Sequence, residues 1–301
     1  FELALLQSSA EKAGEYLNIV LVGGGPTGVE LAGALAEMRK YIFPKDYPEL
    51  DLSKMRIVLY QSSGELLSGM SDSASKRAEE YLKRLGVEVH LSTRVIDYNG
   101  GCLKLSDHTT LSSRTVIWSA GIIANSVRGL SEVSSGPKNR ILVDRQNRVL
   151  GHDDVFAIGD LCLMETPKYP GGHPQVAQVA IQHAKNLAGH LKQIHGKRKK
   201  PSRDFIYRDK GSLATIGRNL AVADLPFFNL HGFLAWVLWS FVHLFMIVGV
   251  KNRALIFMNW SWNYFTYDQS LRLLIRHKPS KINDLNEGEF CENPEQTTLL
   301  I

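Results

Sequence analysis

A glycine-rich turn near the start of the chain constrains the fold more than any other feature. The apolar run at 18–22 leads directly into Gly23-Gly-Gly-Pro-Thr-Gly28, and a helical pattern follows at 29–41. Glycines at this spacing let the backbone turn tightly and let a pyrophosphate approach the N–H groups at the helix N-terminus. We therefore predict that Gly23, Gly25 and Gly28 bind a dinucleotide. The alternative is a turn that only packs the helix against the sheet.

The next elements extend this unit into a parallel sheet. Apolar strands are predicted at 56–61 and 87–91, with a helix at 73–85 between them, which gives a βαβαβ pattern. Residues 94–114 alternate apolar and polar side chains around an Asn-Gly-Gly turn, which indicates a hairpin, and a strand is expected at 115–119. The predicted fold class is therefore α/β, Rossmann-like, with antiparallel inserts.

The remaining segments are also periodic. A polar helix is predicted at 1–15, and residues 42–55, with two prolines, read as a loop. Beyond residue 140 the patterns predict a hairpin at 141–150, a buried strand at 155–158 and a long helix at 174–195. An almost continuously apolar stretch follows at 230–250, and an aromatic stretch at 254–267. From about residue 283 the chain is acidic and polar, and we expect it to be disordered.

The end of the second predicted strand is where the ribose of a dinucleotide is expected. A carboxylate at this point accepts hydrogen bonds from the ribose hydroxyls of NADH and repels the 2′-phosphate of NADPH. This chain has Gln61 there. An amide can still bond to ribose but does not repel phosphate, so NADPH is a second candidate cofactor. The alternative is that Gln61 does not contact the ribose.

Two motifs in the second half of the chain are compatible with a flavin. Gly159 and Asp160 follow a predicted buried strand, where the carboxylate could accept a hydrogen bond from a ribityl hydroxyl of FAD. The alternative is a helix cap or a turn residue. Gln178 and Gln182 are four residues apart and share one helix face, with the small Ala177 allowing a flat ring to approach. Here the alternative is a polar stripe on a surface helix.

Composition excludes other classes of protein. The chain of 301 residues has a net charge of +5, and no basic residues interleave with aromatics on a recognition helix, so no nucleic-acid partner is expected. Cys102, Cys162 and Cys291 are far apart in sequence, so there is no CxxC pair and no metal-type cluster, and we expect no disulfide framework. Disulfide-reductase chemistry therefore lacks its redox cysteine pair.

The motifs stand in an order that resembles the type II NADH dehydrogenases, the non-proton-pumping NADH:quinone oxidoreductases. The segments that carry the resemblance are VGGGPTGVELAGALAEM, VIWSAG, VFAIGD, HPQVAQVAIQ, IYRDKGSLATIGRNLAV, GFLAWVLWSFVHL and KNRALIFMNWSWNYFT. They cover nearly the whole chain apart from the acidic tail. The resemblance implies a two-dinucleotide-binding flavoprotein that passes electrons from NADH through FAD to a membrane quinone.

The resemblance also implies roles for single residues. The three glycines of the first motif would hold NADH, and Glu30 would lie where nicotinamide and flavin meet and could relay a proton to the quinone. Its structural alternative is a first-turn Glu favoured by the helix dipole. The other implied cofactor-binding residues are Gly121, at the end of VIWSAG, and Gly159, Asp160, Ala177 and Gln178. Gln178 and Gln182 would line the quinone site.

Two departures from the family pattern are visible. Gln61 replaces the usual Glu, which puts strict selectivity for NADH in doubt. The family begins with its own FAD-binding glycine motif, well before the dinucleotide motif, and this segment is absent from the sequence. We therefore expect the chain to be truncated at its N-terminus, with Phe1 inside the protein.

The same reasoning predicts the domain organisation. Residues 1–15 are expected to be a linker from the missing part of the FAD domain, residues 16–125 an NAD(P)H-binding domain, and residues 126–229 the C-terminal part of the FAD-binding domain. Membrane-attachment helices are expected at 230–282, and the tail at 283–301. The apolar stretch at 230–250 is long enough to span a bilayer. Its Trp residues, together with Lys251 and Arg253, favour a helix at the lipid interface instead.

We accordingly expect a monotopic protein on the cytoplasmic face of a bacterial inner membrane, with a homodimer as one compatible assembly. The competing interpretation is an NAD(P)H-dependent flavoprotein reductase, soluble or membrane-associated, or a redox sensor, with an acceptor other than a quinone. The aromatic C-terminal stretch argues against a soluble reductase.

Overall fold

The computed structural model describes residues 1–125, 127–130, 135–195 and 204–266. The predicted disordered tail lies outside them. The chain divides into two compact units, of which the first comprises residues 1–120 and 211–301 and the second comprises residues 121–210.

The first unit contains most of the regular elements. Its helices are α1 Glu2–Leu5, α2 Ala10–Leu17, α3 Pro26–Tyr41, α4 Phe43–Asp46, α5 Asp72–Arg84, α7 Phe233–Met246 and α8 Val250–Thr266. Its strands are β1 Asn18–Val22, β2 Arg56–Tyr60, β3 Glu88–His90, β4 Val95–Tyr98, β5 Cys102–Leu105, β6 Thr110–Ser112, β7 Thr115–Trp118, β10 Ser212–Gly217, β11 Leu220–Asp224 and β12 Asn229–His231.

A parallel sheet of order β3-β2-β1-β7 forms the centre of this unit. Its inner strands are continuous apolar runs because helices or further strands cover both of their faces. The residues with no accessible surface include Val20, Leu21, Ile57, Val58 and Leu59. The α/β Rossmann-like fold predicted from the sequence is confirmed. Helix α3 begins at Pro26, three residues earlier than predicted, so Gly28 lies within its first turn.

Two small antiparallel sheets complete the first unit. One has the order β4-β5-β6 and corresponds to the hairpin predicted at 94–114, with one additional strand. The other has the order β10-β11-β12, and α7 packs on it through Ala235, which is buried against Ala221 and Ala223 of β11.

No helix within the described part of the chain has the length and apolar character needed to cross a membrane.

The second unit is less regular. It contains β8 Ile141–Leu142, β9 Cys162–Leu163 and the long helix α6 Ala177–His195, and β8 pairs with β9 in parallel. Its core surrounds Val149, Cys162, Met164 and Val179. Cys162 is a buried free thiol. Cys102, in the first unit, is disulfide-bonded, a single bond that the sequence analysis, which expected no disulfide framework, did not predict.

Several predicted elements differ from the observed ones. The helix expected at 1–15 is two helices, and the loop expected at 42–55 contains α4 and a short 3₁₀ turn, Leu52–Lys54. Residues 155–158 do not form a strand: only an isolated bridge, Arg148 to Phe156, occurs there. The helix in the stretch at 230–250 ends at Met246, because the backbone of the next residue, Ile247, is extended; Gly249, with a φ of +90°, follows before α8.

The hairpin predicted at 141–150 is reduced to one antiparallel bridge, between Val143 and Val149. The predicted domain boundary at 229/230 also differs from the division into units, because the β10-β11-β12 sheet packs with α3 and α5 in the first unit. The functional assignment of the segments stays a prediction.

Candidate dinucleotide and flavin sites

The glycine turn between β1 and α3 is shaped by backbone packing. Gly23 has a φ of +111°, and a Cβ added to it would lie 2.8 Å from the Cα of Ala120. A Cβ added to Gly28 would lie 1.9 Å from the carbonyl oxygen of Gly23. Both contacts are with backbone atoms that cannot move aside. Gly23 and Gly28 are therefore required by the fold of the turn itself.

Gly25 differs from these two glycines. It is the N-cap of α3 and has an ordinary φ of −72°, and its residue type supplies no capping side chain. A Cβ added to Gly25 would meet no protein atom within 4 Å. The first amides of α3 therefore face open space, with the positive end of the helix dipole behind them, which is the arrangement that binds a pyrophosphate. The residues present thus fit the diphosphate of a dinucleotide.

Gln61 lies directly beside this turn. Its side-chain Oε1 accepts a hydrogen bond of 2.8 Å from the amide of Gly24. Its Nε2 donates to the hydroxyl of Ser63 at 2.6 Å and to the carbonyl of Glu65 at 3.3 Å. The structure therefore places Gln61 at the predicted strand end, with its amide bracing the glycine turn.

Glu30 is half-buried in the first turns of α3. Its Oε1 accepts a hydrogen bond of 3.3 Å from the amide of Thr215. Burial raises the pKa of the Glu30 carboxyl, although the Thr215 amide, the His243 ring and the Trp239 indole each act in the opposite direction. The rings of Trp239 and His243 stack with centroids 4.1 Å apart. Glu30 is therefore a half-buried carboxyl with a raised pKa beside an aromatic face of α7.

In the second unit, Gly159 and Asp160 form a 3₁₀ turn that we call the GD turn, residues 159–161. Gly159 has a φ of +67°, and an added Cβ would lie 3.2 Å from the Cβ of Ala180, so glycine is favoured on both counts. The carbonyl of Asp160 accepts a 3.0 Å hydrogen bond from Nε2 of Gln175, while its side chain is exposed. An exposed carboxylate on a fixed turn fits the role of accepting hydrogen bonds from ribityl hydroxyls.

The two glutamines of α6 share one face, as predicted, but their amides are occupied. Gln182 donates to the carbonyl of Arg208 at 2.9 Å and accepts from its amide at 3.0 Å. Gln178 accepts from the amide of Lys210 at 3.1 Å and donates to the Asp209 carboxylate at 3.5 Å. Both side chains therefore hold the extended segment 205–210 alongside the helix.

The other predicted residues of the second unit are open. Ala177 is the first residue of α6 and is exposed. Gly121 is exposed with a φ of +84°, and an added Cβ would meet no atom within 4 Å. Among the described residues, no cluster of His, Cys, Asp and Glu could hold a metal ion.

The structure thus groups the predicted residues by unit. Gly23, Gly25, Gly28, Gln61 and Glu30 belong to the first, and Gly121, Gly159, Asp160, Ala177, Gln178 and Gln182 belong to the second. Sequence reasoning missed Trp239 and His243 near Glu30, and it missed His183, whose Nδ1 accepts a hydrogen bond from the amide of Gly159. No sequence signal could have found them, because periodicity does not reveal contacts between distant elements.

Comparison with known proteins identifies matches over both parts of the chain. Residues 3–184 match the model of the pyridine nucleotide-disulphide oxidoreductase family, and residues 210–266 match that of the NDH2 C-terminal domain. The structure of NDH2 from Plasmodium falciparum in complex with NADH has a TM-score of 0.80 at 21% identity, covering 88% of this chain and 69% of that one. This likeness shows the fold.

Two curated relatives extend the match. A type II NADH:quinone oxidoreductase of Mycobacterium tuberculosis is 34% identical over 88% of this chain and 58% of its own length. A mitochondrial internal alternative NAD(P)H-ubiquinone oxidoreductase of Arabidopsis thaliana is 31% identical over 81% of this chain and 50% of its own length. The chain therefore spans between half and three fifths of these relatives. It belongs to the pyridine nucleotide-disulphide oxidoreductase family, and its residues 210–266 match the NDH2 C-terminal domain.

Proposed function

We propose that the protein is a flavin-dependent oxidoreductase that transfers electrons from NADH through FAD to a membrane quinone without pumping protons. The observation that carries the proposal is the open phosphate cradle at Gly25 in a chain that also contains the NDH2 C-terminal domain. Relatives named as NADH:quinone and NAD(P)H-ubiquinone oxidoreductases support the same reaction.

NADH is the proposed electron donor, and its diphosphate would be held by the N-terminus of α3. The amide of Gln61 does not repel a 2′-phosphate, so we propose that NADPH is also accepted, more weakly. FAD, when bound, would supply the redox chemistry by accepting a hydride and delivering two electrons. The exposed carboxylate of Asp160 and the N-terminal end of α6 at Ala177 are the groups we propose to hold its ribityl chain and ring.

Proton supply is the proposed role of Glu30. Reduction of a quinone to a quinol consumes two electrons and two protons, so a group that holds a proton must be available. Burial raises the pKa of Glu30, which favours the protonated carboxyl. We propose that Glu30 delivers a proton during turnover and takes another from water. Replacement by Gln would retain the shape and remove the exchangeable acid.

The quinone site is proposed on α6. Gln178 and Gln182 fix segment 205–210 against the helix. We propose that these two side chains line the quinone site and also hold the segment that forms one of its walls. In that case their loss would affect electron delivery to quinone and would leave electron uptake from NADH intact.

Attachment to a membrane surface is proposed through α7 and α8. The exposed face of α7 carries large apolar side chains at successive turns, and α8 continues the surface; these residues are Phe233, Val237, Phe241, Phe245, Phe257, Met258, Trp262 and Phe265. An apolar patch this large on a protein surface marks an interaction site. Arg253 closes the C-terminus of α7 by donating to the carbonyl of Ile247 at 2.7 Å. We infer monotopic attachment, on the cytoplasmic face of a bacterial inner membrane, and a homodimer is compatible with it.

The decisive experiment for the reaction is spectroscopic. Purified full-length protein should carry an oxidised flavin absorbance that NADH bleaches under anaerobic conditions and that a soluble quinone analogue restores. Bleaching without restoration would instead support a reductase or redox sensor with another acceptor, the second candidate function. Absence of a flavin spectrum would refute the proposal.

A second experiment tests attachment. Phe241→Glu combined with Phe245→Glu should reduce flotation with anionic phospholipid vesicles at least tenfold, because two charges would enter the apolar face. Leu6→Glu is the control, since Leu6 is also an exposed apolar residue (77% exposed, against 55% for each phenylalanine) but lies near the N-terminus. Equal flotation of the double variant and the control would show that α7 does not insert.

A further inference from the structure

A buried polar cluster lies directly beneath the GD turn of the second unit. His183 and Cys162 have only 1% and 0% of their surfaces exposed. The amide of Gly159 donates to Nδ1 of His183 at 3.3 Å, and the thiol of Cys162 lies 3.4 Å from the same nitrogen. The Cys162 Sγ is also 3.4 Å from the carbonyl oxygen of Gly159. Both backbone polar groups of Gly159 therefore contact this cluster.

These contacts fix the state of the His183 ring. Because Nδ1 accepts a hydrogen bond from an amide, the proton of the neutral ring is on Nε2. Nε2 is buried without a hydrogen-bond partner, and the ring lies edge-on to Phe205 with centroids 4.5 Å apart. Burial, together with the charges of His173 and Arg140, lowers the pKa of His183 to about 4, so the ring is neutral at physiological pH.

The cluster is braced from the other side by Arg140. Its guanidinium donates to the carbonyl of Cys162 at 2.6 and 3.0 Å and to the carbonyl of His173 at 3.1 Å. Gln175 holds the carbonyl of Asp160. The backbone of the GD turn is thus held by side chains from several segments, and the Asp160 carboxylate is left exposed.

A role as simple core filling does not account for His183. An apolar side chain of similar size would leave Gly159 without its acceptor but would remove the unpartnered Nε2–H from the core. Burying a polar atom without a partner is unfavourable. The hydrogen bond from the amide of Gly159 to His183 compensates for the cost of burying Nε2 without a partner. That hydrogen bond fixes the backbone of the residue directly before Asp160.

We propose that His183 is a positioning residue of the flavin site, which fixes the amide of Gly159 and thereby presents the Asp160 carboxylate to a ribityl hydroxyl of FAD. The inference rests on the proposed function, since it requires that FAD binds at the GD turn.

The test compares variants of full-length apoprotein titrated with FAD. His183→Leu removes the acceptor, and we expect FAD binding to weaken on the order of tenfold to a hundredfold. His183→Asn places an amide oxygen near the position of Nδ1 and should retain binding within about threefold. His183→Gln places its polar group near Nε2 and should behave like the Leu variant. The Asn and Gln variants keep the test decisive should the Leu variant fail to fold.

The matched control is His190→Leu. His190 is a second buried histidine of α6, two helical turns beyond His183, and its ring packs against Phe156. We expect it to lower the melting temperature of the apoprotein and to leave the Kd for FAD unchanged. Equal losses of FAD affinity in His183→Leu and His190→Leu, or equal affinities of the Asn and Gln variants, would overturn the positioning role. Failure of the wild-type protein to bind FAD at all would instead refute the proposed function.

Discussion

The two glycine-containing turns of this protein are built by opposite means. The turn at Gly23–Gly28 requires the absence of side chains, since a Cβ on Gly28 would clash with the backbone of Gly23. The GD turn at Gly159 is instead supported by side chains, since His183 and Cys162 contact its backbone polar groups. The first turn is formed by neighbouring residues and can be recognised as a sequence motif. The second is supported by residues that come into contact only in the folded unit.

The difference also separates folding from binding within the first turn. Gly28 is required by packing, whereas Gly25 faces open space and has an ordinary backbone conformation. One motif therefore contains a residue that serves the fold and a residue that we propose serves the ligand. In the GD turn we propose no such separation, because the side chains that support its backbone would also position the ligand-binding carboxylate.

The largest effect is expected from Gly28→Ala. Its Cβ would lie 1.9 Å from a carbonyl oxygen, and overpacking against backbone destabilises proteins by about 3 kcal/mol or more in severe cases. Gly25→Ala should lower the free energy of unfolding by only about 0.5–1 kcal/mol, because Ala is a poorer N-cap than Gly, while weakening NADH binding at least tenfold. Urea denaturation and NADH titration of both variants provide the measurement. Equal stability of the two variants would contradict the proposed division of roles.

The second prediction concerns acid stability of the second unit. The pKa of His183 falls from an ordinary value of 6.5 to about 4 in the fold. Between these pH values the unfolded chain binds a proton that the folded chain does not, so stability is fully present above pH 6.5 and is lost as the pH falls towards 4. At about 1.4 kcal/mol per pKa unit, the loss is about 3 kcal/mol.

Urea denaturation of apoprotein between pH 7 and 4.5 measures this loss, and His183→Asn is the control because it cannot titrate. His173 has a pKa lowered by burial and contributes in the same direction in both proteins. The Cys162 thiol, with its pKa raised to about 11, stays neutral throughout. Parallel pH profiles for the wild type and the Asn variant would show that His183 is not the titrating group.

The third prediction concerns Gln61. Gln61→Glu should still accept from Gly24 but would lose the bonds that Nε2 donates to Ser63 and Glu65. The added charge should shift the preference for NADH over NADPH by about 1–3 kcal/mol. The ratio of kcat/KM values measures the shift, with Ser63→Ala as a control for the lost bond. An unchanged ratio would place Gln61 away from the ribose.

The smallest effect is expected from Gln182→Ala. It removes two hydrogen bonds from the Arg208 backbone at a partly exposed position, for a loss of about 1 kcal/mol. Stopped-flow measurements should show slower flavin reoxidation by quinone and unchanged reduction by NADH. Asn186→Ala, one helical turn further along, is the control because it bonds to Asn147 instead. Equal slowing of both half-reactions would count against a quinone site on this face.

Much of the first unit follows from local rules. The strand at 18–22, the helix after the glycine turn and the parallel order of the sheet were predictable because hydrophobic periodicity and glycine spacing act over a few residues. The second unit was harder. Residues 155–158 have the composition of a buried strand, yet Val155 and Ile158 are exposed, and the pairing with the preceding segment is limited to the single bridge between Arg148 and Phe156.

The sequence by itself determined the glycine turn, the family and the residue types available for the proposed flavin site, because each depends on short motifs. Tertiary structure alone decided that Gln61 braces Gly24, that Gln182 holds segment 205–210 and that His183 holds Gly159. The physical reason is the range of the forces involved. Steric limits on the backbone act between neighbouring residues, whereas the burial that sets a hydrogen-bond partner or a pKa depends on elements brought together only by folding.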